Sequence, residues 1–222
     1  MNHPGISNDK GWWDRKSLDW YVECYKLHGS DYLIGIEVTN APPNDGEELF
    51  QEGLWDQLLA RFMPNRPIWG FGTDDMHRLD DAVDSFTVFM LDSPTEESVR
   101  QAMLDGQFYF CKSSKRINLQ EDDVSCFPKI DRIIVDCEQH TIRVVASNYD
   151  EIKWISAPEN LSPIEDYRTS DRPWELGVVV GAQDTIATRS HPSIKKYVRA
   201  ELIRMEGGVV YRTFTNPFGL PG

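Results

Sequence analysis

"IWGFGTDDMH", residues 68–77, is the stretch on which the reading of the fold turns. It runs from Ile68 and Trp69 through Gly-Phe-Gly-Thr into two aspartates, and Asp75 and His77 flank Met76. In a strand, residues i and i+2 point to one face. If the strand continues through the aspartates, Asp75 and His77 aim a carboxylate and an imidazole at one point, a pairing suited to a metal ion or to proton transfer. An Asp-x-His pair also recurs by chance in many chains, and a solvated turn is the alternative.

Working outward, helix and strand patterns alternate through the first half of the chain. "KSLDWYVECYKLH" (16–28) has the apolar spacing of an amphipathic helix, and "DYLIGIEV" (31–38) that of a buried strand. "APPNDG" is a loop, "EELFQEGLWDQLLARFM" (47–63) a second helix closed by Pro64, and "PIWGFGT" (67–73) a strand. "SFTVFML" (85–91) is another strand. Pro94 stands ahead of the helix "TEESVRQAMLDG", with Gly106 as its stop, and the strand "QFYFCKS" follows. Such alternation predicts α/β units on a largely parallel sheet.

Beyond residue 114 the texture changes. "KIDRIIVDCEQHTIRVVASN" reads as two strands joined by a turn at Glu138-Gln139-His140. "EIKWISA", "WELGVVVGAQD" and "KYVRAELIRMEGGVVYRTFTN" add further alternating patterns, with Gly207-Gly208 as a hairpin turn. The expected fold class is therefore α/β followed by all-β, with residues 1–114 as one unit and 115–222 as a small β-sandwich.

Composition narrows the function classes. A formal charge of −13 over 222 residues argues against a nucleic-acid or anionic-membrane partner, since neutralising phosphates needs clustered Lys and Arg. No apolar run approaches the roughly 20 residues of a spanning helix, and the start of the chain has no signal-peptide pattern. Cys24, Cys111, Cys126 and Cys137 show no CxxC pair. Scattered cysteines suit a reducing compartment and favour a cytoplasmic location.

Three motifs occur in a telling order: "NHPG" (Asn2–Gly5), "YLIGIEVTN" (Tyr32–Asn40) and "WGFGTDDMH" (Trp69–His77). Together they resemble the second half of a PHP domain, the polymerase-and-histidinol-phosphatase family of metal-dependent phosphoesterases on a distorted (β/α)7 barrel. The stretch beginning "SFTVFML" and the final "YVRAELIRMEGGVVYRTFTNPF" are similar to later parts of the same family. The resemblance implies an incomplete TIM-like barrel with an appended β-sandwich, because the His-x-His strand and other early motifs of the family have no counterpart here. It implies His3, Asp75 and His77 as metal ligands, with Asp75 and His77 catalytic, for zinc, manganese or iron. Glu37 and Asn40 stand near substrate, Glu37 either orienting its neighbours or touching metal. The implied reaction is hydrolysis of a small-molecule phosphate mono- or diester by metal-activated water, weak in this chain for want of ligands. A half barrel would also expose strand edges and promote self-association. The competing reading is a non-catalytic binding or interaction module whose sandwich takes a ligand or partner.

Other residues carry smaller expectations. Asp74 faces away from Asp75, toward a supporting position or solvent. His28 suits a helix C-terminus, while His140 and His191 belong to the surface. Arg66, Lys112 and Arg78 are cations near strand ends with the chemistry to hold phosphate. Trp12 and Trp13 line a pocket or fill the core or an interface. Trp154 and Trp174 form a carbohydrate platform or, with greater weight, core.

Overall fold

The computed structural model describes residues 1–4, 15–40, 45–76, 84–115, 124–170, 172–189 and 191–220. Helix α1 (Leu18–Leu27) begins at Ser17, whose side chain accepts the Trp20 N–H, and buries Leu18, Tyr21 and Tyr25 on one face. His28 is its C-cap, as the sequence predicts. Strands β1 (Gly35–Asn40) and β2 (Trp69–Thr73) are joined through helix α2 (Asp45–Phe62) and pair in parallel, Gly35 with Trp69 and Asn40 with Thr73. Strand β3 (Ser85–Phe89) leads to helix α3 (Glu96–Asp105), where Thr95 and Ser98 form a capping box and Gly106, at φ 71°, ends the helix in the left-handed conformation. Strand β4 (Phe108–Ser113) follows.

The rest is strand and loop: β5 (Lys129–Asp136), β6 (Thr141–Ser147), β7 (Glu151–Ser156), β8 (Val178–Gly181), β9 (Thr185–Ala187), β10 (Tyr197–Glu206), β11 (Val209–Thr215) and β12 (Phe218–Gly219). Gly207 and Gly208, at φ 59° and 75°, make the β10–β11 hairpin turn, a conformation that favours glycine. Strands β3-β4-β11-β10-β7-β8 form one sheet in that order, with β12 also paired to β10. Strands β5-β6-β9 form a second sheet, and β1-β2 a third. Strands from both sides of residue 114 thus share the central sheet. Among the described residues no helix is long and apolar enough to cross a membrane.

This architecture overturns the expected α/β barrel. The described residues hold three α-helices against twelve β-strands, and no barrel closes among them. Among the described residues only β1 and β2 pair in parallel; β3 and β4, which the alternation placed in the same parallel series, are antiparallel. Helix α3 explains part of the difference. It buries only Ala102, so it does not cover a sheet face as a crossover helix must.

The edge of β2 explains more. The Gly72 N–H donates to the Thr87 hydroxyl (3.2 Å), which returns a bond to the Gly72 carbonyl (2.9 Å), and the Gly70 N–H donates to Asn216 Oδ1 (2.8 Å). Side chains occupy the ladder positions where another barrel strand would pair. The glycines also let neighbouring layers pack closely on the faces of β2: a Cβ on Gly70 would fall 2.7 Å from the Trp55 ring, and one on Gly72 2.8 Å from Ser85 Oγ.

Strict alternation splits the central sheet between two cores. Tyr197 of β10, Phe110 of β4 and Phe214 of β11 face α1, α2 and β1. Their neighbours Val198, Ala200, Leu202, Tyr109, Cys111 and Tyr211 face the three-stranded sheet, meeting Ile130, Ile142, Val144 and Ile186. Trp154 and Trp174 are both buried, so they are core rather than a platform.

Candidate functional site

The C-terminal ends of β1 and β2 gather four of the five residues singled out from the sequence. Residues 1–3 run along the outer edge of β1. The Met1 amino group donates to the Gly35 carbonyl (2.8 Å), and the Glu37 N–H donates to the Met1 carbonyl (3.0 Å). Burial pushes the Met1 amino group below its usual pKa, with the nearby Glu37 carboxylate opposing. His3 is thereby set beside Glu37, and its own N–H donates to Glu37 Oε2 (2.6 Å).

Glu37 is buried, and its other oxygen accepts the Thr73 hydroxyl at 2.5 Å. Glu37 is thus held from both sides. The His3 ring stands between two carboxylates. Nδ1 is 3.7 Å from Glu37 Oε2 and 3.1 Å from Asn40 Nδ2, while Nε2 is 3.9 Å from Asp75 Oδ1. His3 is 29% and Asp75 44% exposed, so solvent reaches both.

Asp75 arrives here by a route the strand argument did not foresee. β2 ends at Thr73, and Asp75 adopts φ 48°, outside strand geometry. His3, at φ 49°, is in the same left-handed region. Such backbone costs about 1–3 kcal/mol per non-glycine residue and gathers at functional sites. The i, i+2 argument for Asp75 and His77 therefore fails at the aspartate, and His77 itself lies outside the described residues. Asp74 supports the fold, accepting the Ser85 N–H at 2.7 Å. Thr73, which sequence reasoning did not select, carries no signal beyond its place at the end of β2.

Of the three expected metal ligands the described residues include His3 and Asp75. No group of three or more His, Cys, Asp or Glu among the described residues is placed to hold an ion. His3 Nε2 and Asp75 Oδ1 make one pair of donors. Coordination through Nε2 also requires its proton to be elsewhere. The Asn40 amide must then present its oxygen rather than its nitrogen to Nδ1.

A second charged cluster is buried between α2 and the central sheet. Arg199 donates to both oxygens of Asp56 (2.9 and 2.8 Å), which also accept the Tyr197 hydroxyl (2.9 Å) and the Gly177 N–H (2.8 Å). One turn along α2, Glu52 accepts a bond from the buried Lys112, and Arg212 lies 3.5 Å away. Burial alone would raise Glu52, but Lys112, Arg212 and Arg199 together hold it below the usual carboxylate range. Burial and Glu52 push Glu201 up, against the pull of Arg212 at 3.3 Å. Lys112 is thus locked in an ion pair rather than offered to a phosphate. Arg66 stacks over Tyr25 and Phe62 and donates to the Leu33 carbonyl. Arg78, Trp12 and Trp13 lie outside the described residues.

The chain matches no family model, no curated protein and no solved structure. With no family match and no barrel among the described residues, the PHP assignment and its TIM-like barrel do not stand.

Proposed function

We propose that the C-terminal rim of β1 and β2 is a hydrolytic site for an ester of phosphate. One arrangement supports this reading: the His3 imidazole stands between the hydrogen-bonded Glu37 and the half-exposed Asp75. It does so at the strand ends where open parallel sheets receive ligands. His3 moves the proton between water and the leaving oxygen. Asp75 balances the charge of the imidazolium, while Glu37 and Asn40 fix the ring. With the Asn40 amide oxygen on Nδ1–H, Nε2 is unprotonated and takes a proton from water as a base, and the imidazolium so formed returns it to the leaving oxygen. Where a divalent ion (zinc, manganese or iron) is instead taken by His3 and Asp75 with His77, Nε2 would be a ligand that moves no proton, and the ion would supply a water of lowered pKa. Turnover by this chain is weak on this reading, since such ions normally take three or four protein ligands. The four cysteines are free, which supports a reducing, cytoplasmic compartment.

The test combines elemental analysis, a chromogenic phosphomonoester and ¹⁵N shifts of the His3 ring. We expect less than one metal per chain and slow turnover that rises with added Mn²⁺ or Zn²⁺. Zn²⁺ should move the His3 signals, and His3→Ala or Asp75→Asn should lower turnover at least tenfold. Turnover that survives both substitutions, or a His3 ring indifferent to metal, overturns the reading. The second reading, a ligand-binding module, is favoured by a separate cleft.

A further inference from the structure

A cavity of about 810 Å³ opens near the other end of β2, between the β5–β6 turn, the start of β4 and the final strand. Trp69 at its wall and Thr73 at the rim are the two ends of β2, separated by roughly 13 Å of extended backbone. The volume lies in the range of small-molecule sites, about 300–1,000 Å³. Trp69, Met90, Phe108, Ile142 and Phe218 give it an apolar lining. The Trp69 indole is fixed in orientation: Nε1 donates to the Leu104 carbonyl (3.0 Å), and Gly106 lies so close that a Cβ there would sit 2.8 Å from the ring.

The charges around this apolar lining are unequal. Asp105, Asp131 and Asp136 line the cleft against one guanidinium, Arg132, with His140 beside them. Asp136 Oδ1 accepts the N–H groups of Glu138 and Gln139 and holds the turn that carries His140 at φ 53°. Asp105 accepts the Gln101 amide at 2.9 Å, and Asp131 is 3.1 Å from Lys129. Each of these is a surface interaction that solvent screens. An ionised carboxylate also offers about four acceptor positions, so such a partner leaves it able to accept another donor.

An apolar lining, an oriented indole and a surplus of carboxylates together recognise an organic cation. The net charge of −13 acts in the same direction, concentrating cations. We propose that this cleft binds a small organic ammonium or guanidinium carried on an aromatic or branched hydrocarbon body. The body displaces water from the apolar lining and the cationic head meets the aspartates. This site is independent of the rim of β1 and β2, so either can fail while the other stands.

Calorimetric titration with three probes of one shape tests the proposal: benzyltrimethylammonium, phenylacetate and benzyl alcohol, with Trp indole N–H shifts to locate binding. The cation should bind at least tenfold more tightly than phenylacetate and should move the Trp69 signal. Asp105→Asn with Asp131→Asn should weaken the cation about tenfold and leave benzyl alcohol unchanged. Val135→Trp, at an exposed lining position, should block all three while the melting temperature holds. Failure of the cation to bind, equal binding of phenylacetate, or cation binding that survives both the double variant and Val135→Trp overturns it.

Discussion

On one face of the central sheet, Val198, Ala200 and Leu202 of β10 meet Tyr211 and the aliphatic side chains of the three-stranded sheet. On the other face, their immediate neighbours Arg199 and Glu201 meet Asp56 and Glu52 of α2, together with Lys112 and Arg212. The same strand therefore serves two interfaces by two kinds of force. Burial of hydrocarbon is favourable in nearly any relative placement of the layers. The bidentate Arg199–Asp56 pair holds only in one, because a planar fork must meet a carboxylate edge-on. Both faces bury hydrocarbon, and on the α2 face the ion pairs add the constraint that sets where α2 lies.

That contrast is breakable. The largest effect is expected at Asp56→Ala, which leaves the Arg199 guanidinium and the Tyr197 hydroxyl buried without their partner; urea unfolding should register a loss of about 3–5 kcal/mol. Replacing both members, Asp56→Leu with Arg199→Met, should recover more than half of it. A single substitution costing under about 1 kcal/mol would mean that the ion pair is incidental to the placement of α2.

Across the sheet, Leu202→Ala should cost about 2–4 kcal/mol, the usual range for a fully buried leucine. Here a second substitution on the apposed strands should add to it rather than rescue it. Rescue by a partner is the signature that separates the two faces.

The smallest effect sharpens the comparison through pH. Burial raises the Glu201 pKa above its ordinary value of 4.5. At a pH below 4.5 the carboxyl is protonated in both folded and unfolded chains and contributes nothing. As pH climbs from 4.5 through the raised folded value, the unfolded chain ionises first and stability falls. Glu201→Gln should therefore match the parent near pH 4 and equal or exceed it near pH 7, read as a flatter plot of melting temperature against pH. Glu52 has the opposite sign: its lowered folded pKa gives stability present above 4.5 and lost as pH falls through the folded value.

Elements with local causes were legible in the sequence. The Gly207-Gly208 hairpin, the Gly106 stop and the alternation of β10 each depend on residues a few positions apart. Which strands become neighbours was not legible, because it depends on contacts such as Gly70 with Asn216, 146 residues apart. The charged layer was half legible. Glu52 and Asp56 are four apart on α2, and the run Val-Arg-Ala-Glu-Leu alternates charge with hydrocarbon. A half-buried surface strand has that same pattern, and only the position of α2 distinguishes the two. At the rim, His3, Glu37, Asn40 and Asp75 converge, yet Asp75 does so through a left-handed backbone rather than a continued strand. Residue type marked the position, and the periodicity assumed for it did not hold.

The Thr87 hydroxyl and the Asn216 carboxamide beside β2 carry a further consequence. Two side chains, from segments well over a hundred residues apart, do for this backbone what a whole additional strand would otherwise do. The parallel pair is thus capped laterally, and β3 is left to close the border of a different sheet. A few polar atoms placed from a distance decide where one layer of the molecule stops and the next begins.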